Sequence, residues 1–187
     1  MRTLILFCAF VLVGQMHAQN WALINPAYKY NYSNDGTDTI CNQIRVMAVN
    51  TIGTDSSLCA LNPIGLACAP CNGIPAGCAT NAGLFADRPQ VFGASAIVSV
   101  SQWTLIGDDT LLVQADAMLG AIWMGPGGVQ GTVSSVTEED LFGQLDSVKQ
   151  IDFSNGATMR ISKSHGVTAF AANGEAYALI GVQGGIE

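Results

Sequence analysis

The second half of the chain is cut at short intervals by turn signals. Gly107-Asp108-Asp109, Gly125-Pro126-Gly127-Gly128, Asn155-Gly156 and Asn173-Gly174 separate short apolar runs within residues 91–187. Glycine reaches positive φ at no steric cost, and Asn and Asp side chains bond their own backbone, so these clusters end regular elements. No stretch between them holds a helical period for a useful length. The spacing predicts an all-β fold, an antiparallel sandwich or barrel, with sandwich-like sheets as the favoured form. A single helical turn is expected at 137–141 (TEEDL), where acidic residues suit a helix amino terminus. The apolar run 176–182 reads as an edge strand awaiting a partner.

One hairpin can be argued to its register. Ile151 and Phe153 alternate with Gln150 and Asp152; Ala157, Met159 and Ile161 alternate with Thr158, Arg160 and Ser162. A two-residue Asn155-Gly156 loop would set Ile151 against Arg160 and mix the faces. A three-residue loop, Ser154-Asn155-Gly156, sets Phe153 against Ala157, Ile151 against Met159, Asp152 against Thr158 and Gln150 against Arg160. One face is then apolar and the other wet, as a half-buried sheet requires.

Charge narrows the function classes. Only 11% of residues are charged while 49% are hydrophobic, the reverse of a disordered chain. Seven basic residues stand against fourteen acidic ones, for a net charge of −7. That balance argues against nucleic acid as a partner.

Residues 1–18 read as a secretory signal peptide: Met1-Arg2, an apolar run over 3–14, and Ala18 before the cleavage point. The run is shorter than the ~20 residues of a membrane span, and none is expected after cleavage. The protein is therefore expected to be secreted or held at the cell surface. Three further parts follow by composition: a β segment at 19–58, a cysteine-rich loop at 59–90 and a β-rich region at 91–187. The loop carries Pro63, Pro70, Pro75 and Pro89 among many Gly, Ala and Asn residues, which disfavour regular structure.

Export leaves Cys41, Cys59, Cys68, Cys71 and Cys78 as disulfide candidates, an odd set with at least one thiol left over. The Cys68-Ala-Pro-Cys71 pair is also open to zinc or redox readings. Its neighbours lack a second CxxC or HxxxH, and a helix start to stabilise a thiolate is not evident. Structural disulfides fixing the loop are the favoured reading.

Three phrases carry a family resemblance: INPAYKYNYSNDGTDTICNQIRV, FGQLDSVKQIDFSNGATMRISKSHGVTAF and YALIGVQGG. Together they resemble the amino-terminal region of secreted Bacteroidota proteins, many of them type IX secretion cargo with a separate carboxy-terminal sorting domain. The resemblance implies location and architecture rather than chemistry. It also implies continuation beyond YALIGVQGG, so the 91–187 region is read as truncated. In that setting Asp38-Thr39-Ile40, Asp109-Thr110-Leu111 and Asp146-Ser147-Val148 resemble an O-glycosylation acceptor pattern, which makes Thr39, Thr110 and Ser147 candidates.

The remaining constellations are weaker. Asn31-x-Ser33-x-Asp35-Gly36-x-Asp38 faintly resembles a calcium loop, but a solvated turn explains it and no metal is expected. Asp108, Asp109, Glu138, Glu139 and Asp140 offer carboxylates with no sign of convergence. His165 has Ser164 beside it, but neighbouring side chains on a strand point to opposite faces. No G-x-S-x-G elbow or phosphate loop is present. The Lys163-Ser164-His165-Gly166 stretch reads as a turn. Trp103 and Trp123 read as core, while Tyr28, Tyr30 and Tyr32 share one strand face that could form an exposed stacking platform.

The expected function is a non-catalytic, exported β-rich module for adhesion, assembly or display. A carbohydrate-binding module, or the non-catalytic part of a larger secreted hydrolase, are the alternatives. Glycans or surface proteins are the expected partners, and no cofactor is expected.

Overall fold

A computed structural model describes residues 21–34, 42–61, 65–66, 79–80, 93, 95–107, 110–172 and 175–184. Fourteen strands fall among the described residues. They are β1 (Tyr28–Ser33), β2 (Asn42–Thr51), β3 (Ser56–Leu61), β4 (Gly65–Leu66), β5 (Ala79–Thr80), β6 (Ser95–Ser99) and β7 (Gln102–Ile106). They continue as β8 (Thr110–Gln114), β9 (Ile122–Met124), β10 (Gln130–Leu141), β11 (Gln144–Phe153), β12 (Thr158–Ser162), β13 (Gly166–Ala172) and β14 (Glu175–Gly184). Strands β4 and β5 pair with each other; the other twelve form one sheet in the order β8-β7-β6-β3-β2-β1-β14-β13-β12-β11-β10-β9. Its neighbours are antiparallel throughout.

Followed round, that order is the order of the chain itself, with β14 laid against β1. The two sheet ends, β8 and β9, are consecutive in sequence and meet at a seam. There Trp123 on β9 donates its indole N–H to the Leu112 carbonyl on β8 at 2.6 Å. Gly131 on β10 makes this possible, because a Cβ there would sit 2.5 Å from the Trp123 ring. The fold is all-β and antiparallel as expected, but the architecture is a nearly closed, barrel-like sheet. The sandwich-like arrangement of separate sheets is corrected by the continuous ladder through β1 and β14.

A barrel of this many strands is wider than the eight-stranded kind that side chains alone just fill. Large rings occupy the interior. Tyr32 meets Phe170 edge-on at 5.4 Å, and Phe170 stacks on Tyr177 at 5.1 Å. Trp103 and Trp123 join the same core, as expected. Residues 21–26 add Leu23 and Ile24, both fully buried, to the aliphatic side chains that the strands turn inward. The Leu23 carbonyl accepts the Val167 N–H at 2.9 Å. Gly166 packs so close that a Cβ would meet this carbonyl oxygen at 2.3 Å.

The β11–β12 hairpin has the register argued from its sequence: Gln150, Ile151 and Asp152 face Arg160, Met159 and Thr158. Phe153 N–H reaches the Ala157 carbonyl at 2.9 Å, and Gly156 closes the loop at φ +89°. Elsewhere the expectations change. TEEDL is not a helical turn but the end of β10, paired with β11 as far as Leu141 opposite Gln144. A two-residue turn, Phe142-Gly143, joins them with φ of 54° and 80°, and cross-strand pairing outweighs the local acidic signal. The 176–182 run is not an edge: β14 lies between β1 and β13. In the region read as a cysteine-rich loop, 59–61 belong to β3, and β4 and β5 form a short ladder; the remainder of 59–90 lies outside the described residues.

Candidate functional site

Three residues of catalytic type meet at the β12–β13 turn. Asp146 comes from β11, Ser162 ends β12, and His165 lies in the turn. His165 Nδ1 is 3.4 Å from Asp146 Oδ2 and 3.5 Å from Ser162 Oγ. The wiring is not that of a serine nucleophile, which needs histidine between serine and carboxylate. Here the Ser162 hydroxyl donates directly to Asp146 and accepts the backbone N–H of His165 at 2.8 Å. Ser162 is 0% exposed. Asp146 also accepts the backbone N–H groups of Ser147 and Ser164, both at 2.9 Å. Burial pushes its carboxyl up, but the donors from Ser162, Ser164, His165 and Ser147 together hold it below the ordinary aspartate value. The cluster is a carboxylate pin that shapes the turn, in keeping with the turn reading of Lys163-Ser164-His165-Gly166. Phe142 from the β10–β11 turn lies edge-on to the His165 ring at 5.4 Å.

A second assembly lies beside this turn, where residues 21–26 cross one end of the barrel. Lys149, inward-facing on β11 and buried, donates to the Ala115 carbonyl at 2.5 Å. Its ammonium lies 4.2 Å from the centre of the Trp21 ring. Burial lowers the Lys149 pKa, and the charge of Asp116 opposes that shift. One cation thus ties the crossing segment to the loop after β8. Sequence reading missed it, because a lysine among Val148, Gln150 and Asp152 carries no mark of burial; only its place in period with Ile151 and Phe153 hints at the inner face.

Between the crossing segment and the walls formed by β2, β3, β6 and β7 lies an open cavity of about 370 Å³. Trp21, Ile24, Val49, Val98 and Trp103 supply most of its apolar wall, with Cys59 among the lining residues. Cys59 is a free, buried thiol whose pKa burial raises.

The tyrosines share one face, as read, but that face is the barrel interior. Tyr30 and Tyr32 are buried, so the expectation of an exposed platform is corrected for both; of the three, Tyr28 alone is exposed. The Tyr30 oxygen accepts the Asn25 N–H at 2.7 Å, and the Tyr32 hydroxyl donates to the Val167 carbonyl at 2.9 Å. Burial pushes the Tyr30 phenol up to about 12 and that of Tyr32 well above the usual value. Among the glycosylation candidates, Thr110 and Ser147 are half-buried, and Ser147 Oγ donates to Glu138. Glu138 and Asp140 are exposed; Glu139 pairs with Arg160. Cys41, Cys68, Cys71, Cys78, Thr39, Asp108, Asp109 and the Asp35–Asp38 part of the calcium-like loop lie outside the described residues.

Among the described residues, no helix is long and apolar enough to cross a membrane. No protein family, curated protein or solved structure matches this chain.

Proposed function

We propose that the protein is an exported, non-catalytic β-rich module of a Bacteroidota cell, working at the surface or in the medium in adhesion, assembly or display. The observation that carries this reading is an apolar patch at the barrel seam. Met118, Leu119, Ile122 and Met124 are 62–82% exposed, and they sit on edge strand β9 and the loop before it. Large exposed apolar side chains grouped in this way mark contact surfaces. The turn cluster supports the same reading, since its serine is buried and its carboxylate is committed to backbone donors. The outward-facing residues Lys29, Asn31, Gln43, Arg45, Gln150 and Asp152 alternate with the buried set. On these strands the outer face is polar, unlike the apolar band of a lipid-facing barrel.

The test is a comparison of the wild-type protein with Ile122→Glu/Met124→Glu, both exposed positions, displayed on cells or coated on beads. The expected outcome is at least a tenfold loss of adhesion or co-assembly with unchanged thermal unfolding. Equal adhesion in both, or turnover of polysaccharide or peptide substrates that ceases in Ser162→Ala, would overturn the reading.

A further inference from the structure

We infer that the cavity beneath residues 21–26 is a binding site for an uncharged, largely hydrocarbon small molecule. Its volume of about 370 Å³ lies within the range of roughly 300–1,000 Å³ that suits small ligands. Among the described lining residues none is charged, and the polar side-chain groups are those of Asn25 and Ser57, the Cys59 thiol and the indole N–H groups of Trp21 and Trp103. A carboxylate, phosphate or ammonium would lose its water there without a counter-charge. A sugar would find few side-chain partners for its hydroxyls along this lining. The two indoles of Trp21 and Trp103 instead offer wide apolar surface. Lys149, whose ammonium lies on the Trp21 ring, is not itself among the lining residues.

Two rim residues point the same way. Val100 begins the two-residue turn between β6 and β7, where Ser99 pairs with Gln102. Its φ is +51°, a conformation that a β-branched residue rarely adopts and that glycine normally fills in such a turn. Its side chain is also 82% exposed. Strained residues gather at ligand clamps, and the exposed Val100 side chain stands at the cavity rim. Val49, opposite Cys59 on the inner face, is half exposed at the same opening. A hydrocarbon molecule in the cavity covers both.

The probe is N-phenyl-1-naphthylamine, a neutral aromatic amine, with its sulfonated relative 8-anilinonaphthalene-1-sulfonate as the charged control. The neutral probe is expected to bind with one-to-one stoichiometry, shifting the tryptophan emission, and the sulfonate at least tenfold more weakly. Val49→Trp, which fills the mouth from an exposed position, is expected to weaken neutral-probe binding at least fivefold. Val100→Gly is expected to weaken it several-fold while raising or holding the thermal midpoint, so lost binding is separated from lost folding. Equal binding of the two probes, binding unchanged in both variants, many weak sites per chain, or displacement of the probe by simple sugars would each overturn the assignment.

Discussion

Asp146 shows how a single side chain fixes a turn. It is buried, ionised and surrounded by donors, so its removal leaves several N–H and O–H groups without an acceptor. Asp146→Asn is expected to cost about 1–3 kcal/mol, the usual penalty for stranding buried polar groups. The pH dependence has a definite sign. The folded carboxyl sits below the ordinary aspartate value of about 3.9, so its stabilisation is complete above that value. It is lost as pH falls through the lower, folded value. Urea midpoints measured from about pH 6 to 2 should fall at the acid end in the wild type and fall less in Asp146→Asn. Matching curves would show that other carboxylates govern the acid limb.

At the scale of single elements, the β11–β12 hairpin turns on Gly156. Its φ is +89°, and no atom lies within 4 Å of where a Cβ would stand, so a substitution there probes backbone conformation alone. Gly156→Ala is expected to cost about 1–2 kcal/mol, and Gly156→Asn less, because Asn tolerates the left-handed region. Chemical denaturation of the two variants checks the order; equal losses would mean the loop is not conformationally limited. This hairpin was legible because its faces are cleanly alternating and a register slip would bury Arg160. The KSHG turn and the two core tryptophans were legible for similar local reasons. The TEEDL strand was not, since its conformation is set by partners on β11 rather than by its own acidic residues. The tyrosine face was read correctly as a face, but alternation alone does not tell which side of a sheet is the inside. Nor does it reveal the role of the crossing segment at 21–26: Leu23 and Ile24 are two apolar residues in an irregular stretch, and only the width of the barrel gives them a place.

For the whole molecule, the seam is the point where a side chain substitutes for a ladder. Trp123→Phe removes the N–H that reaches the Leu112 carbonyl while keeping much of the ring, at an expected cost of about 1 kcal/mol. Amide exchange in β8 and β9 should speed up, with β12 and β13 unchanged. Uniform acceleration would instead mean that the seam opens only with global unfolding. Sheet closure on the opposite side depends on a ladder between the earliest and latest strands described, Tyr28 against Gly184 through Ser33 against Ala178. A ribosome delivers these two at opposite ends of its work on this stretch. While the intervening strands emerge and pair with their immediate neighbours, β1 has β2 on one flank and an unclaimed row of amides and carbonyls on the other. The pairing that completes the sheet on this side waits for β14, so β1 keeps an adhesive edge until the last of the described strands has been made.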